Sequence, residues 1–301
     1  MVKQGTKIKL DKSSLALKII SYITVILFTI ICLLPFILII SASFSTESVI
    51  SREGFGMLPK GFTLNAYSWV FRFPEMILGS YAVTLIMTIC GTAVGLFIIA
   101  MTGYVLQRQD FPFRNIISFF IYFTTLFSAG MAPTFIWVSR YLNLRGSYLA
   151  VFLQLLMTPW LIILMKNFAK SVPYEITESG KIDGAGDFKI FTALIFPMLK
   201  PALATVGLFL ALGYWNEWYQ SSLYLGSAVK YKPLQYYLYN IINTANALKG
   251  SVAGANVSIT ELPSNTLKMA TAVVATGPIV FLYPFVQKYF ISGITVGAVK
   301  G

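Results

Sequence analysis

The stretch SVPYEITESGKIDGAGDFKIFTALIFPMLK, Ser171 to Lys200, decides how the rest of the chain is read. It is a polar interruption between apolar segments long enough to cross a bilayer. Locally it predicts two short helices around a glycine turn. Pro173 can open the first helix, where its missing N–H costs nothing. Glu175 and Glu178 suit the positive end of that helix. Gly184 and Gly186 permit the turn, Asp187 can cap the second helix, and Pro197 and Pro201 mark its exit. Ile176, Ile182 and Phe188 are apolar residues in this polar loop and need cover. A helix–turn–helix between two membrane spans is a handle for another protein.

Working outward, composition excludes a soluble protein. The 301 residues are 56% hydrophobic, 15% aromatic and 11% charged, with a mean hydropathy of +0.72. Soluble domains carry roughly 25% charged residues. The chain reads as an all-α integral membrane protein. It has no histidine, the commonest general base and metal ligand. Cys32 and Cys90 both lie in apolar stretches, so neither a disulfide framework nor a zinc spacing exists. The net charge of +12 is distributed as membrane topology requires rather than as a nucleic-acid patch.

Six spans are expected: Leu17–Ser43 with a kink at Pro35, Gly79–Leu106, about Ile116–Val138 bent near Pro133, about Ser147–Leu164 bent near Pro159, about Ala202–Leu225, and about Thr266–Phe290. Met1–Lys18 reads as a basic, flexible lead. Ser41-Ala42-Ser43 resembles a signal-peptidase site, but the run before it is too long for a signal peptide, so an uncleaved anchor is expected. The resulting organisation is a basic segment 1–16, a six-span domain 17–290 and a tail 291–301, with a cytoplasmic loop 171–200 and an extracytoplasmic loop 226–265. Fourteen Lys and Arg fall on the side of the termini and the 171–200 loop, against nine on the other. The positive-inside rule then places both termini and that loop in the cytoplasm. Gly91 and Gly95 form a GxxxG pair suited to close helix packing. The segment Asn65–Phe73 suits the headgroup level.

Several motifs carry a family resemblance. Glu178-Ser179-Gly180, Ile182-Asp183-Gly184-Ala185 and Ile195-Phe196-Pro197 resemble the EAA loop of ABC-importer permeases, in the form found in permeases for sugars and oligosaccharides. PALAT at Pro201–Thr205, WNEW at Trp215–Trp218 and the ending from Tyr283 to Gly301 are similar to the same family. Two alanines usual after the glutamate are replaced by Ser179 and Gly180; Gly180 weakens the first helix by about 1 kcal/mol relative to Ala. The resemblance implies a multi-pass subunit in a prokaryotic cell membrane, working with a second homologous permease, two ATPase subunits and an extracytoplasmic binding protein. It implies a carbohydrate cargo and coupling through Glu175, Glu178, Gly180, Asp183, Gly184, Ala185 and Asp187. The chain has no G-x-x-x-x-G-K-[ST] loop, so ATP and Mg belong to the partners, and no cofactor, metal or bond chemistry is expected here.

Glu217 is the one carboxylate inside an expected span and should face protein or water. With Gly213, Asn216, Gln220 and Tyr224 it forms a polar stripe at helical spacing, flanked by Trp215 and Trp218. Two readings stay open: interhelical hydrogen bonding, or a wall of the sugar pathway through Asn216, Glu217, Trp218, Gln220 and Tyr224. Pro233–Gly250 predicts a helix with an apolar face, suited to the membrane surface or to a substrate-delivering protein. The rival functions are an ion- or proton-coupled secondary transporter, which would want more buried carboxylates, and a membrane enzyme acting on lipid-linked sugars. No nucleic-acid partner is expected; membrane lipid is.

Overall fold

The computed structural model describes residues 12–252 and 263–280. The tail 291–301, the end of the sixth expected span and part of the 226–265 loop lie outside those residues. The described chain is helical: α1 (Lys12–Ser43), α2 (Glu47–Glu53), α3 (Asn65–Val70), α4 (Pro74–Gln107), α5 (Arg114–Leu126), α6 (Met131–Ile136), α7 (Tyr148–Leu156), α8 (Pro159–Ala169), α9 (Glu175–Ile182), α10 (Asp187–Lys189), α11 (Phe196–Met198), α12 (Lys200–Trp215), α13 (Tyr219–Tyr224) and α14 (Leu234–Val252). Wider π-helical turns occupy Trp137–Tyr141 and Ile190–Ile195. A last helix covers residues 265–280.

The described residues divide into two compact units. In the first, up to Val70 plus Thr244–Val274, α1 stands almost bare, with no part of its most apolar stretch buried. Below it, Phe44 stacks on Phe62 at 5.8 Å and packs against Tyr67 at 5.0 Å. The buried Glu47 carboxylate accepts the N–H groups of Asn265 at 3.0 Å and Thr266 at 2.9 Å. It thereby satisfies donors at the start of the 265–280 helix that would otherwise be orphaned.

The second unit is built on α4. In lipid, apolar contact alone gives no hydrophobic gain, so helices associate by close packing, and small residues allow it. Gly91 lies under the Tyr214 ring, where an added Cβ would come within 2.3 Å of ring carbons. At Gly95 it would meet Leu210 at 2.7 Å and the Leu156 carbonyl at 2.8 Å, and at Gly103 it would meet Met165 at 2.8 Å. The expected GxxxG face is therefore the seam for α12, α7 and α8, and it continues about two turns beyond the motif to Gly103. The Tyr214 hydroxyl donates to the Phe152 carbonyl at 2.8 Å. Ile99, Tyr104, Met165, Ile190, Phe191 and Val206 fill the core around this seam.

Several expectations need correction. The apolar run propagates helix back to Lys12, so the part of the lead from Lys12 to Lys18 is helical, and α1 continues through Pro35. Among the described residues, three helices are long and apolar enough to cross a membrane: Leu15–Ser43, Pro74–Gln107 and Tyr148–Ala169. Two further candidates are bent pairs. The third expected span is broken at Phe127–Gly130, with a 114° bend, rather than kinked at Pro133. Gly130 takes φ 86°, which the helix cannot accommodate, while Pro133 sits in the first turn of α6. The 86° bend at Leu199 lies before the expected start of the fifth span at Ala202, and the span itself is interrupted at Asn216–Trp218. Backbone freed by a break in a candidate span needs partners. Gly130 N–H donates to Ser128 Oγ at 3.2 Å, and Asn216 N–H to the Leu212 carbonyl at 3.0 Å.

Candidate functional site

The loop that organises the sequence folds as α9, a tight reversal, α10 and the π-helical turn. Pro173 precedes α9, and Glu175 and Glu178 occupy its first turn, where the helix dipole favours negative charge. Its end closes as a Schellman motif: Ala185 N–H reaches the Gly180 carbonyl at 2.9 Å and Gly184 N–H the Lys181 carbonyl at 3.0 Å. Gly184 supplies the left-handed residue, at φ 73°.

The back of α9 is locked. Thr177 is buried and shares a hydrogen bond with the Tyr104 hydroxyl at 3.1 Å. Gly180 is buried against Ile190 and Leu194, and a Cβ there would approach Ile190 at 3.0 Å. The position that weakens α9 by propensity is thus the one that lets it seat against the π-helical turn. The front is open: Glu175, Glu178 and Asp183 are exposed, with Ile182 86% and Phe188 63% exposed beside them. Gly184 is exposed at the apex, and Ala185 is half-buried behind it.

Asp187 does not cap α10. It is the first helical residue, and its Oδ1 instead accepts Arg108 Nη1 at 2.8 Å. Arg108 is the hub of an ionic cluster that the sequence reading treated only as a turn. Its Nε and Nη2 fork onto both oxygens of Asp110 at 2.8 and 2.5 Å, and Lys181 Nζ reaches Asp110 Oδ2 at 2.5 Å. The guanidinium lies 5.8 Å from the centre of the Tyr104 ring. Hydrogen bonding from Arg108, then from Lys181, holds the Asp110 carboxyl well below the usual carboxylate range. The bond to Asp110 in turn raises both Arg108 and Lys181. Two residues after α4 and two in the loop are therefore bound into one clamp. Only the charge of these residues was visible in the sequence; their pairing depends on contacts 71 and 79 residues apart.

The second candidate region is the interruption at Asn216–Trp218, which breaks the continuous stripe read from the sequence. Glu217 is buried, and its carboxylate accepts Gln220 N–H at 2.5 Å, Ser221 N–H at 3.1 Å and the Ser221 hydroxyl at 2.5 Å. It caps α13, which reconciles a carboxylate with this depth. Tyr224 is buried and stacks on Phe135 at 5.6 Å. Asn216 and Trp218 are exposed, Gln220 is half-buried, and Trp218 packs on Tyr239 at 4.7 Å. Trp215 points away, donating to the Ala275 carbonyl at 3.1 Å.

A helical core with a locked, acid-tipped loop and broken spans has a counterpart among known families. The family described as binding-protein-dependent transport system inner membrane component matches residues 95–296. The chain belongs to that family. Members of this inner-membrane component family are transport permeases, and membership implies work with a second permease, ATPases and a binding protein. A polygalacturonan/rhamnogalacturonan transport system permease protein of Bacillus subtilis is 40% identical over 92% of this chain and 95% of its own length. The protein LplC of the same organism is 38% identical over 90% of each chain. Among solved structures, a chain of a bacterial ABC transporter involved in the import of the acidic polysaccharide alginate superposes with a TM-score of 0.75, at 29% identity, covering 94% of this chain and all of that one. These likenesses decide for an ABC-importer permease over the ion-coupled transporter that the sequence left as a rival.

Proposed function

We propose that the chain is one of two permease subunits of an ATP-driven oligosaccharide importer, with six spans, both termini in the cytoplasm and α9 as the element that meets an ATPase subunit. The observation that carries this is the two-sided loop. Its back is fixed to α4 through Thr177 and the Arg108 clamp and seats on the π-helical turn through Gly180, while Glu178, Ile182 and Phe188 stand exposed on its front. Apolar and acidic groups together outside the membrane suit a cleft in a partner, and the rigid backing passes its motion to the spans. Glu175, Glu178, Asp183 and Gly184 form the contact; Gly180, Ala185 and Asp187 keep its shape. ATP and Mg act in the partner, and this chain holds neither.

The cargo is an oligosaccharide, and uronate-bearing ones come first for testing, because two of the similar proteins bear names of acidic polysaccharides. Asn216, Trp218 and Gln220 face the pathway, where an aromatic face grips sugar C–H groups and amides grip hydroxyls. Glu217 and Tyr224 hold that backbone in place.

The test uses Glu178→Lys and Gly184→Val with uptake of labelled oligogalacturonide. Both variants should reach the membrane, while uptake falls about tenfold or more, as expected from loss of a charge-assisted contact worth about 1.5–3 kcal/mol. ATPase subunits should also fail to co-purify. Unchanged uptake with unchanged co-purification in both variants would refute the docking role.

A further inference from the structure

In the second unit, α5 and α8 border a cavity of about 240 Å³. Ser118, Phe119, Tyr122, Lys166, Asn167 and Lys170 are among its lining, and no carboxylate is, among the described residues. Lys166 does not reach outward to water. Its ammonium crosses the groove to donate to Ser118 Oγ at 2.6 Å, and Ser118 Oγ donates to the Arg114 carbonyl at 2.5 Å. Lys170 lines the same groove, and the cations of Lys170 and Arg114 both act on Lys166, although Arg114 Nη1 itself donates to the Arg108 carbonyl at 3.2 Å. Two lysines lining a partly apolar cleft repel one another and call for an anion. Beside them Ile116 is 67%, Phe119 67% and Tyr122 51% exposed, along one helix that leads away from the charges.

We propose that this groove is a binding site for an anionic phospholipid, its phosphate held by Lys166 and Lys170 and an acyl chain lying along Phe119 and Tyr122. The charged end lies where α8 runs out of apolar sequence, which is the headgroup level on the assigned topology. Basic pockets between spans on the cytoplasmic side are suited to acidic headgroups. A free phosphate would satisfy the cations and leave the aromatic rim unused, so the amphipathic ligand fits better. The inference rests on the permease reading for its placement in the bilayer, but its readout does not require transport.

The assembled transporter, purified in detergent, is titrated with phosphatidylglycerol, phosphatidylcholine or inorganic phosphate, and the retained lipid is counted by native mass spectrometry beside the melting temperature. Phosphatidylglycerol should be retained and should raise the melting temperature; phosphatidylcholine and phosphate should do neither. Lys166→Gln with Lys170→Gln should weaken retention by about 30-fold, at about fivefold per cation near an acidic surface. Lys166→Arg with Lys170→Arg should restore it, which separates charge from packing. Equal retention by the glutamine pair and the native protein would overturn the site, as would an equal shift from phosphate alone. Quantitative cross-linking of a Tyr122→Cys variant to the second permease would also overturn it, by showing that a subunit covers the groove. If oligosaccharide uptake proves absent while phosphatidylglycerol is retained selectively, the cargo assignment fails and the lipid site stands.

Discussion

Arg108 shows how much one side chain can organise. Only 11% of its side chain is exposed, yet it meets two carboxylates and an aromatic face. Replacing it with Leu leaves Asp110 and Asp187 without that partner. A loss of about 1–3 kcal/mol is expected, with the lower part of the range favoured because Asp187 is well exposed to solvent. The pH response has a definite sign. Asp110 is held below its ordinary value, so its contribution is full above the ordinary carboxylate pKa of about 3.9 and disappears as pH falls through the lowered one. Lys181 is raised, so its contribution is present below the ordinary lysine value of about 10.4 and is lost as pH rises through the raised one. Melting curves of native protein and Asp110→Asn should therefore differ most at neutral pH and converge in strong acid. A constant difference down to the lowest pH at which the protein stays folded would deny the clamp its ionic character. Glu178, Asp183 and Gly184 were legible because they are neighbours in a local motif. Arg108 was not, because no periodicity or spacing pairs it with Asp187.

At the scale of elements, apolar runs located three helices long enough to cross a membrane and missed where two further candidates are interrupted. Proline was read as the breaking signal, whereas the third candidate breaks before Pro133 at a glycine with φ 86°. The fifth breaks where Glu217 turns back on the α13 backbone. A hydropathy run does not register the first event, since Phe127 is as apolar as its neighbours, and at the second it shows the polarity of Asn216 and Glu217 but not the turn of the carboxylate onto the backbone. The glycine seam on α4 was legible in part, through Gly91 and Gly95. Its strictness was not, because the obstacle at Gly91 is a tyrosine more than a hundred residues away. Gly91→Ala should force the Tyr214 ring aside and cost about 1–3 kcal/mol by overpacking. Thermal melting in detergent checks this, and adding Tyr214→Leu, which removes the ring, should recover part of the loss. A fully tolerated Gly91→Ala would mean that α4 and α12 are not packed this closely in the membrane.

For the whole molecule, the telling contrast is between α1, bare along its apolar length, and α4, with buried residues spaced along it. A segment with mainly apolar side chains and no cover among the described residues of its own unit belongs against lipid or another subunit. Cys32 on α1 and Cys90 on α4 are both exposed in the isolated chain and provide native probes. In membranes both should resist a charged maleimide and react with a lipid-soluble one. Rapid labelling of Cys32 by the charged reagent would place α1 outside the bilayer.

The clamp also sets terms for recombination between relatives. Its four charged residues are split between two places in the chain, Arg108 and Asp110 after α4 and Lys181 and Asp187 in the loop. A loop exchanged between permeases as a cassette would bring its own half of this lock and meet a stranger's half. Chimaeras should therefore succeed according to whether the turn at 108–110 is moved as well, even though that turn lies outside the motif by which such loops are recognised.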